Sequence, residues 1–144
     1  MSAADALGML AVFGDPVAPE PARTLDLAGY RWKAVGSAEE AAEHEPATGW
    51  VGVVVDCTRD PDAAWAFART LRKRDTSTLP LLVLISGAQL DELDLRDELF
   101  DDFCLTPFHP SEFEARLRHL LWHIGGGTAH HDLVEYAELA LNLE

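Results

Sequence analysis

Short apolar runs alternate along this chain with segments in which apolar residues recur three and four positions apart. LGMLAVF (Leu7 to Phe13) is apolar almost without interruption and is closed by Gly14-Asp15-Pro16, which predicts a buried strand followed by a turn. Pro19 and Pro21 delay the first helix, so the pattern predicts a short helix from near Ala22. YRWKAV (Tyr30 to Val35) reads as an edge-like second strand, and Ser37 followed by Glu40 is a capping box opening a helix over AEEAAEH. WVGVVV (Trp50 to Val55) is apolar on both faces, as a central parallel strand must be. Asp60-Pro61 supplies an N-cap and a first-turn proline, and Ala64, Phe67, Ala68 and Leu71 follow at helical spacing. PLLVLIS (Pro80 to Ser86) is a further buried strand. From Ala88 to Leu99 the chain is acidic and only weakly amphipathic, and is expected to be helical. DFCL (Asp102 to Leu105) is a fifth strand. His109-Pro110 opens a last helix with Phe113, Leu117, Leu120, Leu121 and Ile124 on its apolar face, and Gly125 to Gly127 end it.

Strands alternating with helices imply a parallel sheet covered on both faces. Five repeats in this length suit an α/β, flavodoxin-like, doubly wound domain. Ligands of such sheets sit beyond the carboxyl ends of the strands, at the switch point. The residues expected there are Asp15 after strand one, Asp56 after strand three, Ser86 at the end of strand four and Thr106-Pro107 after strand five.

Composition narrows the function classes. The 144 residues allow one domain with a real core, and 48% of them are apolar, which excludes a disordered chain. The formal charge of -14 argues against nucleic-acid binding by this segment and suits solubility or a basic partner surface. MSAADALGML lacks the basic stretch and cleavage site of a signal peptide, and no apolar run approaches the roughly 20 residues of a membrane span. A cytoplasmic protein without membrane contact is expected. Cys57 and Cys104 have no metal-ligand spacing and read as buried free thiols. No internal repeat is present.

The strand-end set, VVVD at Asp56, VLIS at Ser86 and DDFCLTPFHPSEFEARLRHLL from Asp101, resembles the receiver domain of two-component response regulators, the CheY-like form of this fold. The last block is similar, over its whole length, to receivers of the OmpR/PhoB subfamily. The resemblance implies that Asp56 is the phosphoacceptor, that Asp15, Asp56 and the carbonyl of Thr58 hold Mg2+, and that Ser86 and Phe103 are the switch residues. An aspartate attacks a phosphoryl group poorly because both are anionic, and Mg2+ removes that repulsion. A histidine kinase is the implied phosphoryl donor.

Three departures mark an atypical pocket. The acidic pair after strand one is Gly14-Asp15, the lysine position is Thr106, and the region between Ser86 and Asp101 is about two residues short. Removing a cation about 4 Å from a phosphoryl group removes an attraction on the order of 4 kcal/mol at an effective dielectric near 20. Weak Mg2+ binding and little dependence on phosphorylation are therefore expected, with Asp56 held by partners. Thr106 is expected to donate a hydrogen bond across the pocket, and Arg59 to supply the missing charge.

In the same subfamily the region before the last strand, the last strand and the last helix form a two-fold dimer face. By that resemblance Arg96, Asp101, Asp102, Glu112, Arg116, Arg118 and His123 are interface residues of a homodimer, with Arg96 pairing to Glu112 of the other subunit. Asp91, Glu92, Asp94 and Glu98 read as a solvated face. The expected organisation is a receiver over residues 1–124, a flexible linker over 125–132 and, over 133–144, the first strand of a winged-helix effector that would carry DNA binding. His130-His131-Asp132 in the linker reads as a solvated run. The divergent pocket together with this tail is similar to the actinobacterial GlnR-like regulators.

Three functions compete. The first is a regulatory and dimerisation module of a DNA-binding transcriptional regulator, not an enzyme. The second is a conventional Mg2+-dependent phosphoacceptor that catalyses at most its own phosphorylation. The third, an unrelated flavodoxin-like enzyme or nucleotide-binding protein, is the weakest, because no phosphate-cradling glycine loop follows strand one and no nucleophile elbow is present.

Overall fold

The computed structural model describes residues 8–14, 16–74 and 79–124, with the backbone alone for Arg74, His123 and Ile124. Five parallel strands, β1 (Met9–Phe13), β2 (Arg31–Val35), β3 (Gly52–Asp56), β4 (Leu81–Ser86) and β5 (Asp102–Thr106), form one sheet in the order β2-β1-β3-β4-β5. The helices are α1 (Pro19–Leu27), α2 (Ala38–Glu43), α3 (Pro61–Arg74) and α4 (Pro110–Ile124), and a 3-10 segment (Gly87–Leu99) joins β4 to β5. The doubly wound arrangement is as the alternation of runs predicts, and β2 is an edge strand.

The unbroken apolar runs have a simple cause. Alternate strand residues enter two separate cores. Val53, Val55, Leu81, Val83 and Ile85 pack against α2, α3 and the 3-10 segment through Ala38, Ala41, Trp65, Phe67, Leu93 and Leu99. Val54, Leu82, Leu84 and Leu10 pack on the other face against α1 and α4 through Leu25, Phe113, Leu117, Leu120 and Leu121. The close approach of α4 needs Gly52: a Cβ there would lie 2.6 Å from Cδ2 of Leu121.

Helix ends follow their local chemistry. α1 starts at Pro19 and not near Ala22, because a proline in the first turn gives up an N–H that has no helical acceptor anyway. It ends in a Schellman turn: Gly29 takes φ +86°, its N–H donates to the Asp26 carbonyl, and Tyr30 N–H donates to the Leu25 carbonyl. At α2 the Ser37 hydroxyl accepts from Glu40 N–H at 3.1 Å, while the Glu40 carboxylate accepts from Gly36 N–H at 2.7 Å, one residue earlier than a standard box. Asp60 caps α3 through Ala63 N–H at 3.3 Å.

The region after β4 departs from expectation. It is a 3-10 helix, kinked at Arg96, with no buried residue. Its partly covered positions are Gln89, Leu93, Arg96 and Leu99, a spacing near three. At 3.6 residues per turn Leu90, Leu93, Leu95 and Leu99 spread around the axis, so no α-helical face gathers them. Leu95 is left 86% exposed.

Candidate functional site

The carboxyl ends of β3, β4 and β5 carry Asp56, Ser86 and Thr106, with Ser86 and Thr106 in register on neighbouring strands. A cavity of about 400 Å³ opens on the β1 side of Asp56, where the strand order reverses. Phe13, Gly14, Pro16, Asp56, Arg59 and Asp60 are among its walls, whereas Ser86 and Thr106 are not. The structure therefore brings Asp56 and Arg59 together at one cavity and leaves the two hydroxyls of β4 and β5 outside it. Asp15 lies outside the described residues, as do 125–132 and 133–144.

Asp56 is half-buried and held by its own loop. One oxygen, Oδ1, accepts from the N–H of Thr58 at 2.9 Å and from the Thr58 hydroxyl at 2.6 Å. This is the Asx-type turn that lets a strand end in a carboxylate and change direction at once. Among the described residues Oδ2 accepts no hydrogen bond. Arg59 does not pair with Asp56 through a hydrogen bond: its Nη1 donates to the Pro16 carbonyl at 2.8 Å and ties the turn after β1 to the loop after β3.

Thr106 also departs from the expected geometry. Its hydroxyl donates to the Ile85 carbonyl at 3.2 Å, so it does not reach across the pocket. A hydroxyl on Cβ has the reach of the adjacent strand, where the Ile85 carbonyl stands beside it. At the end of β4, Ser86 N–H donates to Oε1 of Gln89 at 2.8 Å, and the Ser86 hydroxyl bonds the same oxygen at 3.2 Å. Gln89 Nε2 in turn donates to the Cys57 carbonyl at 2.9 Å. Sequence reasoning missed Gln89, although Ser86 and Gln89 have the serine-to-glutamine spacing of a capping box, the signal used at Ser37.

The two thiols are buried and free, as expected. Burial, reinforced by the charge of Asp56, pushes the Cys57 thiol up to about 12, and burial with Glu112 pushes Cys104 up to about 11. Neither is a nucleophile near neutral pH. Among the described residues no group of three His, Cys, Asp or Glu side chains is arranged to hold a metal.

The expected interface residues divide. Asp102, Glu112 and Arg116 form one cluster: Arg116 reaches Asp102 at 3.3 Å and Glu112 at 3.0 Å, and its guanidinium lies 5.7 Å from the Phe103 ring centre. The hydrogen bond to Glu112 raises the Arg116 pKa further. Phe103 itself sits half-buried, edge-on to Phe100 at 6.5 Å. Asp101 is engaged within the chain, accepting from Arg72 Nη2 and from Leu81 N–H, both at 2.8 Å. Arg96 is likewise held inside its own subunit, 4.9 Å above the Trp65 ring and 3.9 Å from Glu92, because the 3-10 spacing turns it onto α3. Arg118 pairs with Glu114 at 2.8 Å on the Tyr30 side of α4. The His123 side chain lies outside the described residues.

No protein-family model matches the chain, and no curated protein sequence matches it. Solved structures do. The receiver domain of the TMAO respiratory system response regulator TorR superposes with a TM-score of 0.64 at 20% identity, over 81% of this chain and 98% of that one. This chain has the receiver fold. Chemotaxis protein CheY4 of Vibrio cholerae superposes with a TM-score of 0.62 at 18% identity, over 78% and 96% of the two chains. The non-phosphorylated HemR receiver domain of Leptospira biflexa gives a TM-score of 0.62 at 23% identity, over 78% and 93%. No helix among the described residues of the receiver fold is long and apolar enough to cross a membrane.

Proposed function

We propose that this chain is the receiver module of a response regulator, that it is regulatory and not an enzyme, and that its output depends little on phosphorylation. The observation that carries the reading is the fate of the lysine position. Thr106 brings no cation to the end of β5 and spends its hydroxyl on Ile85, while the nearest candidate replacement, Arg59, is tied to Pro16. The receiver fold of the neighbours supports the module, and Oδ1 of Asp56 is held by Thr58 without any phosphate.

The finer reading is of an OmpR/PhoB-type, GlnR-like transcriptional regulator that works as a cytoplasmic homodimer. The cluster of Asp102, Glu112, Arg116 and Phe103 on β5 and α4 is the part of the dimer face that the geometry supports best. DNA binding belongs to an effector that would begin near residue 133, and a histidine kinase is the candidate upstream partner.

One observation favours the conventional phosphoacceptor: among the described residues Oδ2 of Asp56 accepts no hydrogen bond, and it stands beside a cavity large enough for a phosphoryl group and a metal. A Mg2+ there would be held by Asp56 and, as the resemblance implies, by the Thr58 carbonyl, and it would keep most of its waters. When bound, the ion would neutralise the charge of an incoming phosphoryl group. The chain's own part would be to orient Asp56 through Thr58.

The test is the intact mass after incubation with acetyl phosphate and Mg2+, beside Asp56→Asn and Thr106→Lys. No adduct on the wild-type protein and an adduct on Thr106→Lys is the expected pattern. A wild-type adduct that Asp56→Asn abolishes would overturn phosphorylation independence and establish the phosphoacceptor.

A further inference from the structure

Gln89 joins two strand ends that carry the chemistry of the site. Its Oε1 accepts from Ser86 N–H and bonds the Ser86 hydroxyl, and its Nε2 donates to the carbonyl of Cys57, the residue next to Asp56. These bonds are half-buried, where a donor or acceptor left unmade is costly. Only a primary amide of this length offers an acceptor to Ser86 and a donor to Cys57 at once. The segment that Gln89 belongs to has few other moorings. It buries no residue, and among the described residues Leu93, Leu99 and the Arg96–Trp65 contact fix it to the body of the protein.

We propose that Gln89 is a latch on the receiver site: it holds the Ser86 hydroxyl on the 3-10 segment and fastens the start of that segment to the loop of Asp56. The proposal rests on the receiver reading and adds its regulation. Breaking the bonds of Gln89 frees the Ser86 hydroxyl and unfastens the start of the 3-10 segment from the Asp56 loop together. Signal from the Asp56 loop thus passes to the segment through one side-chain amide.

Amide hydrogen exchange and the Ser86 Hα–Hβ coupling, measured on the full chain without any phosphoryl donor, test this. In Gln89→Leu the Ser86 amide and the amides of 87–99 should exchange at least ten-fold faster, with those of β1 unchanged. The Ser86 coupling should fall from a single-rotamer value to an averaged one. Gln89→Glu keeps the acceptor for Ser86 and loses the donor to Cys57. It should preserve Ser86 protection while still speeding exchange in 87–99. Unchanged Ser86 exchange and coupling in a folded Gln89→Leu protein would overturn the latch, as would equal loss of Ser86 protection in both variants. If Gln89→Leu fails to fold, Gln89→Glu alone decides, because loss of Ser86 protection there contradicts the assigned acceptor. Labelling of Asp56 plays no part in this readout, so the latch and the receiver reading fail separately.

Discussion

Replacing Asp101 separates two roles for the same carboxylate. In the structure Oδ2 of Asp101 accepts from Leu81 N–H and from Arg72, both at 2.8 Å. Leu81 is only 2% exposed, so in Asp101→Ala its N–H loses a partner that water does not replace. An unsatisfied buried donor costs about 1–3 kcal/mol. The Arg72 pair is partly solvated, with side chains 23% and 26% exposed, and adds about 0.5–1 kcal/mol. The expected loss is about 2–3 kcal/mol, read as a lower urea midpoint at unchanged slope. Asp101→Asn keeps an acceptor for Leu81 and should lose about 1 kcal/mol or less. Neither loss should depend on protein concentration, since both bonds lie within one chain. Asp101→Ala unfolding within about 0.5 kcal/mol of wild type would refute the reasoning, and so would a loss that shrinks at high concentration, which is the signature of an interface residue.

Three groups set a pH limit. Cys57, Cys104 and Tyr30 are raised in the fold to about 12, 11 and 12, chiefly by burial. Each deprotonates first in the unfolded chain, so stability is complete below about pH 9 and falls as pH rises toward 12, as urea titrations at pH 8, 9.5 and 10.5 should show. The same burial predicts that iodoacetamide modifies both thiols at pH 8 only under unfolding conditions. Gly29→Ala forces a side chain into the left-handed cap of α1 and should cost about 1–2 kcal/mol by thermal unfolding.

Strands β1, β3 and β4 were legible because each is apolar on both faces, which no other element of a small domain needs. Their starts were less so: Trp50 belongs to the apolar run of β3, yet its indole N–H donates to the Ala41 carbonyl and the residue packs beside α2. The site was legible in its residue types and not in its bonds. Asp56, Ser86 and Thr106 stand at the predicted strand ends, but which oxygen takes which proton depends on neighbours one strand away. Arg59 finds Pro16, 43 positions back in the chain, and no local pattern announces that contact. Arg96 was expected to face a second subunit as the one basic residue between Asp91 and Asp102, and no sequence signal announces that a period near three turns it onto Trp65 within its own chain.

The path from Gly87 to Leu99 buries no residue fully and touches the core through Leu93 and Leu99 alone among its apolar side chains. Its length is therefore governed by the distance between the end of β4 and the start of β5, and not by the volume it must occupy. Residues can be added at the exposed positions Asp94 and Leu95, between the contacts of Leu93 and Arg96, without entering the core. A change of length in this connection leaves the register of β4 and β5 untouched. For the same reason it is the natural place to graft a reporter peptide into this protein.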